Sequence, residues 1–351
     1  MSLKTPYSKT VGVIGAGSFG CAVANILAEN VEVLLYARNP EVVKEIEKFG
    51  TSRGIALNQR ISGTGDLELL CNTCEVIFPV VPSSNFRAMI IQASPFLKPY
   101  HVLIHGTKGF EAILEPGQNL DDFKTLGRDQ VFTMSELIKK ESSVVRIGCL
   151  AGPNLAKEIN QKQPAATVVA SHFNEVINLG QYLLKSDRFR VYGNNDLIGV
   201  ELCGVLKNII AIAAGALNGL GYGENTRGLL ISRGMVEMIY LGRALGGNVK
   251  AFLGLAGVGD LVATCTSKLS RNFTLGYRLA AGEDLSKILN SMEEVAEGVN
   301  TIKITKKIAE NYRVRAPITN MLHDVLFEGL PLTDALQFLM KYPFIDDIDF
   351  I

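Results

Sequence analysis

The sequence has no excess of positive or negative charge. Lys and Arg together number 35, as do Asp and Glu, and the formal net charge is zero. A neutral chain has no overall field that attracts nucleic acid or an anionic membrane surface. We therefore expect no nucleic-acid partner, and an anionic ligand must be recognised by local donors.

The sequence also lacks targeting and membrane-spanning segments. Its start, MSLKTPYSKT, has no apolar region of the kind found in a signal peptide. No uninterrupted apolar run approaches the ~20 residues that cross a bilayer. These absences predict a cytoplasmic protein with no stable membrane insertion.

Cysteine and histidine are few and scattered. The six cysteines do not form the dense framework of a secreted domain, so they are predicted to be free thiols. Cys71 and Cys74 make one CxxC pair without a second, and the four histidines have no metal-ligand spacing. No metal site is expected.

The apolar residues that are present suffice for two cores. The chain has 351 residues, 47% of them hydrophobic, and this length is typical of two domains. Strands are predicted from Val11 and at residues 31–36, 76–80, 102–104, 145–150, 167–170 and 189–191, and helical periods follow. The pattern predicts the α/β class: a doubly wound, largely parallel Rossmann-type domain in residues 1–192, then an all-helical domain in residues 193–351.

A glycine motif follows the first predicted strand. Gly15, Gly17 and Gly20 form GxGxxG between a β-branched run and an apolar helix. In that setting Gly15 makes a tight turn, Gly17 lets the backbone approach a pyrophosphate, and Gly20 permits close packing of the helix on the strand. The helix N-terminus offers N–H groups to the phosphates. We predict a dinucleotide site; an ordinary βα turn is the alternative.

The end of the second predicted strand lacks an acidic residue. NAD-binding folds usually have Asp or Glu there for the ribose 2′-hydroxyl, but this chain has Tyr36, Ala37, Arg38 and Asn39. The guanidinium of Arg38 could pair with a 2′-phosphate. NADPH is therefore the preferred cofactor, with NADH possible; the alternative is an exposed arginine without a ligand.

Residues 196–218 predict a buried helix of about six turns that carries one charge. Lys207 and Asn208 are the only polar side chains in its central part. On a helical wheel the face around Lys207 carries small residues, including Gly204 and Gly215, so something is expected to come close to it. A buried ammonium needs a carboxylate partner, a lost proton or an anionic ligand. The alternative is a lysine that extends along the helix edge to solvent.

Three further polar groups stand out. Lys108 follows a predicted strand, at the edge of the sheet where ligands bind. Asp260 precedes an apolar segment and could be either a functional carboxylate or a helix N-cap. Ser270, Arg271 and Asn272, called the SRN cluster below, offer a hydroxyl, a guanidinium and an amide to a phosphate monoester, although a solvated loop would look the same.

These motifs resemble those of the bacterial-type NAD(P)-dependent sn-glycerol-3-phosphate dehydrogenases over nearly the whole chain. The matching segments are GAGSFG at residues 15–20, FPVVPS at 78–83, TKG at 107–109, AGPNLAKE at 151–158, GVELCGVLKN at 199–208, NTRGLLISRG at 225–234, GVGDLVATCTS at 257–267, SRN at 270–272 and EVAEG at 294–298. Several are long, and they occur in the order of the family, so the resemblance is specific.

The resemblance implies roles for residues in these motifs. It makes Lys207 the proton acceptor, with Lys108 and Asp260 beside it in the catalytic group. The cofactor residues are then Gly15, Gly17, Ser18, Phe19, Gly20, Arg38, Lys108, Ala156, Arg271, Val295 and Glu297. The substrate residues are Lys108, Gly152, Asn154, Lys207, Asp260, Ser270, Arg271 and Asn272.

The chain departs from the family pattern at four positions. Phe19 stands where tyrosine or tryptophan is frequent, and Val205 where a smaller residue is usual. Ala151 and Asn154 replace hydroxyl residues of the usual S-G-P-T run. The substrate contact implied for Asn154 is therefore the one that the family pattern does not support.

The implied reaction is the reversible, NAD(P)H-dependent reduction of dihydroxyacetone phosphate to sn-glycerol 3-phosphate, which supplies the glycerophospholipid backbone. The apolar surroundings of Lys207 are expected to lower its pKa towards neutrality, as proton transfer near pH 7 requires. The long apolar helices of the second domain suggest a homodimer. Two rivals stay open: another β-hydroxyacid dehydrogenase with a similar two-domain plan, and a nucleotide-sensing protein without turnover.

Overall fold

The computed structural model describes residues 10–115, 117–292 and 294–342; the N-terminal residues on which the expected absence of a signal peptide rests lie outside these ranges. The chain forms two compact units. The first contains Met1–Thr107 and Met134–Leu197, and the second contains Lys108–Thr133 and Ile198–Ile351. The predicted domains had a single boundary at residue 192, whereas the chain passes between the units three times.

Eight strands of the first unit form one sheet, in the order β12-β11-β10-β7-β6-β1-β2-β5. The strands of the described chain are β1 (Thr10–Ile14), β2 (Glu32–Tyr36), β3 (Thr51–Ser52), β4 (Ile55–Ala56), β5 (Ile61–Thr64), β6 (Val76–Pro79), β7 (Val102–His105), β8 (Glu111–Ala112), β9 (Val131–Phe132), β10 (Arg146–Ala151), β11 (Ala165–Ser171) and β12 (Phe189–Asn194). All neighbours in this sheet are parallel except β10 and β11. The strand order reverses between β1 and β6, which is the point where doubly wound sheets bind ligands.

Strand β5 is absent from the predicted strands. Its sequence, ISGT, alternates between partly buried and exposed residues and contains a glycine, so it lacks a continuous β-branched run. It pairs in parallel with β2, from Val33 opposite Ile61 to Tyr36 opposite Thr64. Pairing at the edge of the sheet, rather than local sequence preference, makes this segment a strand.

Helices cover the sheet and build most of the second unit. Those of the first unit are α1 (Ser18–Leu27), α2 (Pro40–Phe49), α3 (Leu67–Thr73), α4 (Ser83–Ala93), α5 (Met134–Glu141), α6 (Ala156–Asn160) and α7 (Asn174–Leu184). The later ones are α8 (Leu197–Gly219), α9 (Glu224–Ala244), α10 (Val249–Phe252), α11 (Asp260–Thr266), α12 (Arg271–Ala280), α13 (Leu285–Ser291), α14 (Gly298–Tyr312), α15 (Pro317–Phe327) and α16 (Leu332–Lys341). The prediction of a Rossmann-type domain followed by a helical one is confirmed, but the second unit also holds the short β8–β9 pair.

Lys108–Thr133, called the strap below, belongs to the second unit because its backbone and side chains bond to helices there. The backbone N–H of Leu126 donates to the carbonyl of Lys307 at 3.2 Å, and the Lys307 ammonium donates to the carbonyl of Phe123. Leu126 is fully buried. Local periodicity in the sequence does not reveal contacts between positions so far apart.

Helix α8 is the buried core helix that the sequence predicts. By length and composition it could cross a membrane, yet 94% of an 18-residue apolar window within it is buried inside the protein. Its small residues allow close approach: a Cβ on Gly215 would lie 1.9 Å from the carbonyl oxygen of Phe273, and a Cβ on Gly276 in α12 would lie 1.9 Å from that of Ile212. Helices α8 and α12 therefore cross with their backbones in contact, and the start of α12 is fixed by that crossing.

Candidate active site

The glycine motif adopts the conformation that the sequence predicts. Gly15 has φ +118°, and a Cβ there would lie 2.3 Å from the carbonyl oxygen of Val80. A Cβ on Gly20 would lie 1.8 Å from the carbonyl oxygen of Gly15, whereas a Cβ on Gly17 would meet nothing within 4 Å. The turn thus leaves open space before the first N–H groups of α1, and these residues fit a pyrophosphate.

The other cofactor residues predicted in the first unit lie around this turn and the ends of strands. Ser18 is the first residue of α1, and the Phe19 ring packs against Gly106, where a Cβ would lie 3.0 Å from it. Arg38 follows β2 and is exposed. Ala156 begins α6 and is half-buried. An exposed guanidinium at the carboxyl end of β2 is available to a ligand.

Gly152 and Asn154 lie just after β10. Gly152 has φ +150°, which favours glycine. The amide of Asn154 donates to the carbonyl of Ala166 at 2.9 Å and accepts from the hydroxyl of Thr167 at 2.8 Å. Both ends of the Asn154 side chain therefore brace the loop against β11, which gives this residue a structural task in place of the hydroxyl usual in the family.

Lys108, Lys207 and Asp260 come together in the second unit. The ammonium of Lys108 donates to Oδ2 of Asp260 at 2.6 Å, and the nitrogen of Lys207 lies 3.1 Å from Oδ1 of the same carboxylate. Lys207 is 5% exposed and Asp260 3%. The aliphatic part of Lys108 packs on Gly204, where a Cβ would lie 3.3 Å from it. The small-residue face of α8 thus receives a second lysine, as the wheel predicted that something would come close.

Thr264 completes this group, although it is not among the site residues predicted from the sequence. Lys207 donates to the Thr264 hydroxyl at 2.5 Å, and that hydroxyl donates to the backbone carbonyl of Asp260 at 2.6 Å. Thr264 stands one turn after Asp260 on α11, so an i, i+4 spacing could have found it. Asp260 and Thr264 therefore both orient the nitrogen of Lys207.

The pKa values of Lys207 and Asp260 are both lowered in this group. Burial lowers the pKa of Lys207 to about 8; Asp260 raises it and Lys108 lowers it. Burial raises the pKa of Asp260, but Lys108 and Lys207 outweigh that effect and the net pKa lies below its usual value. The carboxylate is therefore ionised at neutral pH, while Lys207 can lose or take up a proton near it. Of the options left open for Lys207, a carboxylate partner and a lowered pKa are both realised.

Asp260 and the SRN cluster both lie at the N-terminal ends of helices. Helix α11 begins at Asp260 itself, and its carboxylate binds the two lysines, so the N-cap interpretation of Asp260 is wrong. Ser270 is the N-cap of α12, where its hydroxyl accepts from the backbone N–H of Phe273 at 3.3 Å. Ser270 and Asn272 are buried. The SRN cluster is a helix start with two buried polar side chains, not a solvated loop.

The SRN cluster binds the segment that carries Val295 and Glu297. Arg271 donates to the carbonyl of Val295 at 3.1 Å and lies 3.4 Å from a carboxylate oxygen of Glu294. The side-chain amide oxygen of Asn272 accepts from the backbone N–H of Gly298, the residue after Glu297, at 3.0 Å. The SRN cluster and the segment with Val295 and Glu297 are therefore neighbours.

Asn208 is a second residue that the sequence reading left without a role. It follows Lys207 and is 4% exposed. Gly298 fits between Asn208 and Asn272: a Cβ there would lie 3.0 Å from the carbonyl oxygen of Asn208 and 2.8 Å from the amide oxygen of Asn272. The backbone of Asn208, next to Lys207 in the chain, is therefore close to the segment that the SRN cluster binds.

The described residues contain no group of three or more His, Cys, Asp or Glu side chains arranged to hold a metal ion. Cys71 and Cys74 are buried free thiols. Burial raises the pKa of Cys71 to about 11 and that of Cys74 to about 12. Both thiols therefore remain protonated at neutral pH and are poor nucleophiles.

Comparison with known proteins matches both halves of the chain to one family. Residues 10–177 match the N-terminus and residues 196–337 the C-terminus of NAD-dependent glycerol-3-phosphate dehydrogenase. The chain belongs to this family. Glycerol-3-phosphate dehydrogenase (NAD(P)+) of Teredinibacter turnerae is 40% identical over 97% of both chains. The protein of the same name from Staphylococcus haemolyticus is 39% identical over 94% of this chain and 97% of its own length.

A solved structure extends this agreement to the fold. The crystal structure of glycerol-3-phosphate dehydrogenase from Coxiella burnetii covers 96% of this chain and 100% of its own, at 31% identity and a TM-score of 0.85. Membership of the family confirms the resemblance seen in the sequence, the Rossmann-type domain followed by helices, and the enzyme class. The chain is an oxidoreductase that depends on NAD(P).

Proposed function

We propose that this dehydrogenase reduces dihydroxyacetone phosphate to sn-glycerol 3-phosphate, catalyses the reverse reaction, and so supplies the backbone of glycerophospholipids. The observation that carries the proposal is the buried group of Lys207, Lys108 and Asp260, in which one carboxylate serves two lysines. A ketone reduction needs a proton donor at the oxygen that becomes a hydroxyl. The names of the relatives supply the substrate.

Lys207 is the proposed proton donor for reduction and the proton acceptor for oxidation. An amine with a pKa of about 8 has both forms populated near neutral pH, which is the condition for efficient general acid–base catalysis. Asp260 and Thr264 hold its nitrogen in place. Lys108 neutralises the carboxylate and presents a second cation to the substrate, and Asn208 offers its amide beside Lys207.

The SRN cluster is the proposed holder of the substrate phosphate. The guanidinium of Arg271 can form two parallel hydrogen bonds to a dianion, and the Ser270 hydroxyl remains a donor after it has capped α12. Because the oxygen of Asn272 is occupied by Gly298, its NH2 group is the end left for the phosphate. Gly152 and Asn154 are proposed substrate residues of the first unit, with Asn154 acting through the loop that it braces.

The proposed cofactor site uses the glycine turn at Gly15, Gly17 and Gly20. When bound, the nicotinamide cofactor supplies or accepts the hydride. Around that turn, Ser18 and Phe19 begin α1, and Ala156 begins α6. Arg38 selects NADPH over NADH through the 2′-phosphate, although NADH remains usable. Lys108, Arg271, Val295 and Glu297 are the proposed cofactor residues of the second unit.

The cellular setting proposed for the enzyme follows from the same reading. Residues 1–192 would bind the cofactor, and residues 193–351 would bind the substrate. The strap would add Lys108 to the substrate-binding residues. The protein would act as a homodimer in the cytoplasm, without a nucleic-acid partner and without insertion into a membrane. The dimer is testable by sedimentation of the purified protein: a single monomeric species at assay concentration would overturn it.

The test of the function is an assay of reduced-nicotinamide absorbance with dihydroxyacetone phosphate as substrate. We expect rapid oxidation of NADPH, slower oxidation of NADH, and little reaction with unphosphorylated ketoacids. Preference for a ketoacid would favour a different β-hydroxyacid dehydrogenase. Binding of NADPH without turnover on any of these substrates would favour a nucleotide-sensing protein.

A further inference from the structure

Helix α8 contacts the strap at two points one turn apart. Glu201 accepts a hydrogen bond from the hydroxyl of Thr133 at 3.0 Å, and Gly204 supports the aliphatic part of Lys108. Thr133 and Lys108 are the last and first residues of the strap. One helix therefore fixes both ends of this segment, and the next residue in the same i, i+3 row is Lys207.

The strap brings its two ends together. Strand β8 pairs with β9 in antiparallel fashion, with Glu111 opposite Phe132. Thr133 directly follows β9, and Lys108 lies three residues before β8. Displacement of Thr133 from α8 would therefore be transmitted through the β8–β9 pair to the segment that carries Lys108.

The bond between Thr133 and Glu201 is deeply buried. Thr133 is 0% exposed and Glu201 5%. A hydrogen bond to a buried carboxylate is stronger than one between neutral groups, and its partners are held in one geometry. The proposed reaction assigns no proton transfer to Glu201, and its hydrogen bond with Thr133 links α8 to the end of the strap.

We infer that Thr133 and Glu201 are a positioning pair that holds the Lys108 end of the strap on α8, so that the Lys108 ammonium stays on Asp260 beside Lys207. The inference deepens the proposed function, because it assigns a determinant of the proton-transfer group. The inference is specific to the hydroxyl of Thr133, because valine matches threonine in shape but cannot form this hydrogen bond.

The first test compares Thr133→Val with Thr133→Ser, which keeps the hydroxyl. We expect Thr133→Val to lower kcat/KM for dihydroxyacetone phosphate about tenfold, the factor that corresponds to the loss of one buried hydrogen bond. Thr133→Ser should stay close to wild type. The matched control is Thr305→Val, because Thr305 is also fully buried in the second unit and its hydroxyl has no hydrogen-bond partner among the described residues. Equal losses in the two valine variants would overturn the inference.

The second readout is the pH profile of glycerol 3-phosphate oxidation. Lys108 lowers the pKa of Lys207, whereas Asp260 raises it and Cys265 raises it weakly. If Lys108 withdraws, both the loss of its charge and the release of Asp260 raise the pKa of Lys207. We expect the rising limb of the profile, where the rate increases with pH through the pKa of Lys207, to move up by roughly half a pH unit or more in Thr133→Val. A lower rate with an unmoved limb would mean that Thr133 only supports the fold.

A double-mutant cycle with Lys108→Met separates this inference from the role of Lys207. Methionine keeps the stem on Gly204 and removes the ammonium. If Thr133 acts through Lys108, Thr133→Val has no further effect on kcat/KM in the Lys108→Met background. The same tenfold loss in both backgrounds would overturn the inference. A wild-type profile without an ionisation near 8 would instead remove Lys207 from the mechanism, and the cycle would still decide the role of Thr133.

Discussion

The nitrogen of Lys207 lies 3.1 Å from Oδ1 of Asp260, and both side chains are almost fully buried. The other oxygen of the same carboxylate accepts from Lys108. One negative charge therefore serves two ammonium groups in a site of low dielectric. Burial lowers the pKa of Lys207 to about 8, and repulsion from Lys108 acts in the same direction, whereas Asp260 raises this pKa.

Lys207→Met tests the proposed proton transfer. The variant keeps the apolar stem but has no ionisable head, so we expect kcat to fall by about 10² to 10⁴ while NADPH still binds. Steady-state rates and the fluorescence of bound NADPH measure the two effects. Lys250→Met is the control, since Lys250 is an exposed helical lysine of the same unit. Near-normal turnover in folded Lys207→Met would exclude the residue from the mechanism.

The pH dependence of Asp260→Asn tests the electrostatic account. Oxidation of the alcohol requires the neutral amine, so the wild-type rate rises with pH through the pKa of Lys207. Asp260 raises that pKa, and its removal leaves the repulsion from Lys108. We therefore expect the limb of Asp260→Asn to lie below about 8. A limb that moved to higher pH would contradict the charge assignment.

The same variant tests stability. Removal of one partner from a buried ion pair costs about 3–5 kcal/mol, so Asp260→Asn should lower the free energy of unfolding at neutral pH by about that amount. The pKa of Asp260 is lowered in the folded state. Its contribution is therefore present above the unfolded value and is lost as the pH falls through the folded pKa. Urea titrations at decreasing pH should show the difference between wild type and variant shrinking.

The parts of the fold that were predictable are those written in local sequence. Helix α8 could be predicted because its centre has only two polar side chains, and the turn at Gly15 because the glycine spacing occurs in a strand–turn–helix setting, where Gly15 and Gly20 leave no room for a Cβ. Strand β5 was not visible, since ISGT becomes a strand only through β2. Local sequence patterns predict burial and turns, whereas the pairing of an edge strand depends on a strand elsewhere in the chain.

In the candidate site, too, some features follow from local sequence and others depend on the folded chain. Lys207 could be singled out because no polar face exists on its helix. Its contact with Asp260, and that of Asp260 with Lys108, could not be derived from local pattern, because Lys108 and Asp260 are 152 positions apart and meet only in the folded chain. The placement of the strap in the second unit likewise follows from long-range bonds such as that of Leu126 to Lys307. The residues were found through the family resemblance, but their geometry required the structure.

Gly215→Ala and Gly228→Ala form a matched pair that tests the crossing of α8 and α12. A Cβ on Gly215 would collide with the backbone of Phe273, whereas one on Gly228 in α9 would meet nothing within 4 Å. We expect Gly215→Ala to destabilise the protein by about 1–3 kcal/mol or more through forced backbone shifts. Gly228→Ala should stabilise it by about 0.4–1 kcal/mol. Thermal unfolding measures both, and a neutral Gly215→Ala would contradict the close crossing.

Arg38→Ala tests the cofactor preference. Arg38 is exposed at the end of β2 where an acidic residue would exclude a 2′-phosphate. A charge-assisted contact is worth about 1.5–3 kcal/mol, so the KM for NADPH should rise roughly tenfold or more and that for NADH should change little. Arg60→Ala is the control, because Arg60 is also exposed and precedes β5. Equal losses with both cofactors would make Arg38 a structural residue.

Variants of Arg271 test the proposed substrate class. Its guanidinium is 45% exposed and held by Glu294 and the Val295 carbonyl; a phosphate dianion can compete with the Glu294 carboxylate for it. Arg271→Lys keeps the charge without the fork geometry, so catalytic efficiency should fall, and Arg271→Ala should lose more.

Turnover should fall together with affinity in these variants, because binding energy at the phosphate is used to align the carbonyl. The discriminating substrate is unphosphorylated dihydroxyacetone. Wild type should use it very poorly, and Arg271→Ala should be no worse on it than wild type, since neither can gain from the absent phosphate. Losses by the same factor on both ketones would place Arg271 with the cofactor or the fold, and the phosphate would need another holder.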